Sequence, residues 1–203
     1  MTKKYQQMAF TDAVREAQDR NGSAAAYSHE RVGDPPADTP GADEIAFIES
    51  RDSFYMATVN AAGWPYVQHR GGPPGFLKVI NPTTLAMPDF RGNRQYVSVG
   101  NLAENDRASL FFMDYPRQAR LKIFARVGVV QLEEKPELAA RLVDETYKAK
   151  IERAFEFTLE AFDWNCPQHI TPRYTEDDIR AVTGKLTQRI ASLELELEKL
   201  SRK

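Results

Sequence analysis

Hydrophobic and polar positions begin to alternate with period two at Ser53, where Phe54, Met56 and Thr58 interleave with Tyr55, Ala57 and Val59. Asn60-Ala61-Ala62-Gly63 is a hairpin connection to a second short strand over residues 65–70. Gly71-Gly72-Pro73-Pro74-Gly75 then breaks the pattern, because glycine supplies unusual φ values and proline removes a donor. Residues 76–80 and 84–87 are apolar enough for core strands, and residues 108–114 read as another. The clearest strand runs over 119–131, with Leu121, Ile123, Ala125, Val127 and Val129 on one face and Arg120, Lys122, Phe124 and Arg126 on the other. Between these strands, residues 95–104 read as a surface helix. Antiparallel strands joined by short turns favour a meander or barrel over a doubly wound sheet.

The flanks follow helical rules. Thr11 is an N-cap candidate for a helix that Asn21-Gly22 stops, and 33–41, with three prolines, is an arm or linker. Residues 43–50 read as a short amphipathic helix with acidic residues at its start, where the helix dipole favours them. Pro136 opens a helix with Leu138, Leu142 and Val143 inward. Residues 154–162 alternate again, Phe155, Phe157, Leu159 and Ala161 facing inward, and read as a last strand. Thr175 caps a long terminal helix in which Leu186, Ile190, Leu193, Leu197 and Leu200 recur at spacings of four and three, a short coiled-coil seam that needs a partner. The expectation is a mainly β protein with flanking helices: a helix and arm over 1–41, a six-stranded antiparallel barrel over 42–174, and a C-terminal helix over 175–203.

Composition narrows the function. With 203 residues, net charge −2 and pI near 6.0, a broad nucleic-acid surface is not indicated. One cysteine, Cys166, allows no intramolecular disulfide and fits a reducing cytoplasm, and no apolar run reaches membrane-spanning length. The polar N-terminus is not a signal peptide. Three histidines and one cysteine offer no metal cluster. Neither GxGxxG opening a βαβ unit nor GxxxxGK[ST] is present, so a phosphate must be held by side chains and helix-entry N–H groups. Arg91-Gly92-Asn93-Arg94-Gln95, ahead of a helix, has the composition for that. Residues 163–174, DWNCPQHITPRY, form a non-periodic loop of the kind that carries function. Cys166 and His169 invite a thiolate–imidazole reading, but residues three apart across a proline seldom meet at one atom and no orienting third group is evident.

The order of elements from Gly63 to Gln131, with the segments DFRGNRQY and DWNCPQHITPRY, resembles the pyridoxamine 5'-phosphate oxidase-like flavin-nucleotide-binding split-barrel family over residues from about 40 to about 175. The resemblance implies a split barrel, a homodimer and one FMN in each of two clefts between subunits. It implies that Arg70, Lys78 and Arg94 hold the phosphate, with Gln95 where a second basic residue is common. Arg120 would reach the pyrimidine edge of the flavin, and Asp89 and Phe90 would lie by the ring or ribityl chain. Trp164, Gln168 and His69 would stand near the cofactor, and His169 would be the proton donor. The C-terminal segment of the true oxidase is not matched, so pyridoxamine-phosphate oxidation itself is not expected. A flavin-dependent oxidoreductase of unknown substrate, a non-catalytic flavin binder or electron relay, and a split barrel using haem or a deazaflavin all remain open.

Overall fold

A computed structural model describes residues 3–27 and 35–202. Among them, seven strands form one antiparallel sheet: β1 Ser53–Val59, β2 Pro65–Gly71, β3 Lys78–Asn81, β4 Thr84–Phe90, β5 Arg107–Asp114, β6 Ala119–Val130 and β7 Ile151–Trp164. Their order across the sheet is β2-β1-β5-β6-β7-β4-β3. The expected split barrel is realised with seven strands rather than six. The strand over 154–162 extends at both ends and lies between β6 and β4, pairing with both.

Alternation in β1 is realised as expected: Phe54, Met56 and Thr58 are buried. Gly63, at φ 84°, makes the turn into β2, and Asn60 ties it by accepting from the Trp64 N–H at its side-chain oxygen, 2.9 Å. The expected strand over 76–80 begins only at Lys78, although Phe76 and Leu77 are buried. The glycine-proline segment before it is held rather than loose: the Gly72 N–H donates to Asp52 O and the Gly75 N–H to Arg51 O. β6 and β7 pair over ten positions with a register shift between Phe124 and Ala125, which lets the long strands bend with the sheet. Phe54 stacks on Phe112 at 5.0 Å and meets Phe157 edge-on at 6.2 Å, so aromatic rings from three strands fill the interior.

Helices cover the openings. α3, Ala42–Glu49, buries Phe47 and Ile48, and its Gly41 N–H is capped by the Glu44 carboxylate at 2.9 Å. α4, Val97–Glu104, starts two residues later than expected and hydrogen-bonds β1 through Asn101 Nδ2 to Thr58 Oγ1, 3.0 Å. α5, Pro136–Leu142, buries Leu138 and Leu142; Val143, expected inward, is exposed because the helix has already ended. At the N-terminus α1, Lys3–Ala9, precedes the Thr11-capped α2, Asp12–Arg20. The arm expected over 33–41 is described from residue 35; there Asp38 accepts from the Phe162 N–H and donates its own to Glu160 O, lying along β7.

By contacts the chain divides into a unit of Met1–Met113 with Arg120–Cys166, and a second of Asp114–Ala119 with Pro167–Lys203. In the second, Gln118 Nε2 donates to Ile170 O, Arg173 lies over the Tyr115 ring, and α6, Glu176–Ser201, starts from a reciprocal Thr175–Asp178 cap.

Candidate functional site, an arginine-lined cleft at the split

Where the sheet splits, the C-terminal end of β2 faces the C-terminal end of β4 and the start of β7. Arg70 Nη1 donates to Asp89 Oδ1 at 2.9 Å, both side chains about 10 % exposed, and Arg153 pairs with Asp89 Oδ2 at 3.4 Å. The Arg70 guanidinium also lies over the Phe155 ring, 4.8 Å from its centre. Burial pushes the Asp89 carboxyl above its ordinary value despite both arginines, and lowers the Arg70 guanidinium despite Asp89. Arg70 Nε is buried without a hydrogen-bond partner, a cost that the ion pair with Asp89 and the contact with Phe155 offset.

The loop between β4 and α4 closes one side. Arg94 and Tyr96 both adopt left-handed φ, 61° and 54°, a conformation that disfavours residues other than glycine by about 1–2 kcal/mol. Arg94 Nε donates to Tyr96 Oη at 3.1 Å, and that hydroxyl donates to Glu152 Oε2 at 3.1 Å. Glu152 also pairs with Arg153 and Arg91, and Arg153 lies over the Tyr96 ring. Such strain persists where surroundings over-determine it, typically at functional sites.

The resulting cleft, about 220 Å³, is lined by Arg70, Asp89, Phe90, Asn93, Arg94 and Glu152, with Gln68, Ser98 and Tyr96 among the remaining walls. Four arginines (70, 91, 94 and 153) surround two carboxylates, Asp89 and Glu152, leaving two positive charges in excess. Ser98 Oγ donates to Gln68 Oε1 at 2.9 Å, joining α4 to β2. That arrangement suits a dianion: charged donors, a helix entry and local net charge of the right sign.

The residues expected at a cofactor fall into separate places. Arg70, Asp89, Phe90 and Arg94 share this cleft. Gln95 follows in the same loop, exposed, with its N–H on Asn93 Oδ1. Lys78 lines a neighbouring groove of about 210 Å³ that has Phe90 as a common wall and Asp144 opposite. His69 lies on the other face of β2 from Arg70, edge-on to Tyr55. Arg120 and Trp164 stand at the far end of the β6–β7 pair: Arg120 Nη2 donates to Cys166 O, and Trp164 Nε1 to Glu44 Oε1 at 2.6 Å. At about 3.3 Å per residue, the twelve residues from Glu152 to Trp164 put some 40 Å of strand between the two groups. Gln168 and His169 belong to the second unit, His169 with φ 64°.

Glu152, Arg153 and Tyr96 were missed by the sequence reading. Running the alternation of β7 back from Phe155 to Ile151 would have brought Glu152 and Arg153 into the strand. Among the described residues no group of three or more His, Cys, Asp and Glu is placed for a metal, and no helix is long and apolar enough to cross a membrane.

A split barrel with an arginine-lined cleft is therefore the class that fold and site define. A family model described as pyridoxamine 5'-phosphate oxidase matches residues 44–165, more than half of the chain, and the chain belongs to that family. Among solved structures it is similar to HupZ of Group A Streptococcus, at 12% identity and TM-score 0.47, over 66% of this chain and 100% of that one. An FMN-binding protein from Syntrophomonas wolfei is 15% identical, TM-score 0.45, over 61% and 87%. A Clostridium acetobutylicum protein related to general stress protein 26 is 16% identical, TM-score 0.45, over 68% and 94%. No curated protein sequence matched the chain.

Proposed function

We propose that this chain is an FMN-binding, oxidoreductase-like protein whose flavin lies in a cleft shared by two copies. The observation that carries this reading is the cluster of four arginines around two carboxylates, whose excess of two positive charges matches a phosphate dianion. Arg94 is exposed and held in a left-handed loop at the cleft, so it contacts the phosphate directly, and Arg70, which also lines the cleft, backs it with a second positive charge. Asn93 and the entry of α4 complete the hold on the phosphate. FMN, when bound, supplies hydride transfer.

A space of about 220 Å³ is below the ~300–1,000 Å³ of ordinary small-molecule pockets, so this cleft takes the phosphate end and leaves the ring to other surfaces. Arg120 and Trp164, some 40 Å along the strand, reach the same flavin only from a second copy. The outward rows of β2, β1 and β5 favour such pairing. Val67 sits beside Ala57 and Ser109, and Tyr55 beside Phe111, while Trp64 is 73% exposed nearby. In this reading Arg120 sets the orientation of the ring through its pyrimidine edge. An exposed, unpaired Cys166 fits a reducing cytoplasm.

The test compares FMN with riboflavin, which lacks the phosphate. Arg94→Ala is expected to weaken FMN binding about 10- to 100-fold, the range of a lost charged hydrogen bond, and to leave riboflavin binding unchanged. Equal loss for both ligands, or none for FMN, contradicts the phosphate assignment.

A further inference from the structure

α6 carries an apolar stripe that nothing among the described residues covers. Leu186, Ile190, Leu193, Leu197 and Leu200 are 40–69 % exposed, and the helix, 26 residues and about 39 Å long, contains no buried residue. An apolar seam of this length, fully in water, points to a missing partner rather than to scattered surface residues. The repeat itself identifies the occupant. With Ile190 and Leu197 at a and Leu186, Leu193 and Leu200 at d, the heptads extend back through Thr183 to Ile179, itself 53 % exposed. A 3.5-residue repeat is complementary to a second copy of itself, because each a or d knob fills a hole made by the same positions opposite.

We propose that α6 pairs with α6 of a second copy as a parallel, two-stranded coiled coil. Ile190 at a, between Leu186 and Leu193 at d, is the combination that favours two parallel strands. In that register Arg189, at g, stands against Glu194, at e, of the second copy, and the symmetry supplies the pair twice. The remaining g–e neighbours, Val182 with Thr187 and Glu196 with Ser201, bring no like charges together. The pairing is independent of the flavin reading and of any contact through the sheet.

The experiment uses the full chain with the exposed Cys166 replaced by serine, and one new cysteine at a time under mild oxidation. Leu200→Cys, at the seam, is expected to form a disulfide-linked dimer at least tenfold faster than Gln188→Cys, which points outward. Arg189→Glu is expected to slow that reaction, and adding Glu194→Arg to restore it. Equal slow rates at both cysteine positions overturn the proposal. So does a disulfide that forms only between Leu186→Cys and Leu197→Cys chains, which is the antiparallel layer. Flavin binding, measured on the same proteins, is expected to be unchanged throughout, so failure of the coiled coil and failure of the cofactor assignment read out separately.

Discussion

Arg70 on β2 and Asp89 on β4 form an ion pair at 2.9 Å across the split of the barrel, although four strands lie between theirs in the sheet order. The pair holds the two flaps of the sheet together and at the same time forms the back wall of the cleft. One contact is therefore both a structural tie and a wall of the candidate site, and substitutions there separate the two roles.

Removing one partner leaves the others uncompensated. Asp89→Leu is expected to destabilise the fold by about 3–5 kcal/mol, since Arg70 and Arg153 then lose their shared counter-charge in a buried place. The double variant Arg70→Met, Asp89→Leu is expected to recover much of that loss, as apolar replacements of buried pairs often do. Urea unfolding of the four proteins in the cycle measures the coupling. Equal stability of Asp89→Leu and the parent contradicts the structural role.

The Asp89 carboxyl has a distinct pH signature. Burial raises its pKa above the usual 3.8, so its share of stability is full below that value and is lost as pH rises through the raised one. Asp178, whose carboxylate accepts from the Thr175 N–H and hydroxyl at the α6 cap, is lowered instead; its share is present above 3.8 and is lost as pH falls through the lowered value. Carboxyl carbon NMR titration is expected to show Asp89 protonating first on acidification. The reverse order refutes the burial argument.

Gly72 tests the packing beneath the cleft. A Cβ there would come 2.7 Å from Phe76 Cγ and 3.0 Å from Phe90 Cε2. Gly72→Ala is expected to cost about 1–3 kcal/mol, the range for overpacking, and to displace Phe90 from both neighbouring grooves. Thermal unfolding measures the first effect and flavin affinity the second. An unchanged midpoint would mean the two rings yield freely.

Tyr5 fastens the N-terminal helix. Its ring stacks on Phe124 at 4.9 Å and 4°, Lys122 lies over it at 4.7 Å, and Lys122 in turn pairs with buried Asp163 at 2.8 Å. Tyr5→Ala is expected to lower stability by about 3 kcal/mol and to expose the α1 amides to rapid hydrogen exchange. Protection that survives the substitution would assign the docking of α1 to other contacts.

Strand periodicity was legible because one face is buried: Phe54 and Met56 in β1, and Leu121 and Ile123 in β6, alternate as a half-buried strand must. The reading faltered where tertiary context overrides local pattern. Phe76 and Leu77 are apolar and buried yet lie in a turn laced to residues 51 and 52, and α1, only seven residues long and mostly polar, gives no periodic signal. Arg70, Asp89 and Arg94 could be picked out as chemistry-bearing residues along the chain. What the sequence concealed is their company: Glu152 and Arg153 come from a strand more than fifty residues away, and only the rolling of the sheet brings them to Asp89 and Tyr96. The distance between Arg94 and Arg120 was equally hidden, because strand length fixes it and residue type does not.

The visible absorption spectrum of the purified chain, with mass analysis of any released chromophore, tests the central claim most directly. The account expects flavin bands near saturation after incubation with FMN, release of intact FMN on denaturation, and about 10- to 100-fold more FMN needed to reach the same bands in Arg94→Ala. A colourless protein that fails to take up added FMN contradicts it, and would leave the arginine cluster as a structural clasp of the split barrel.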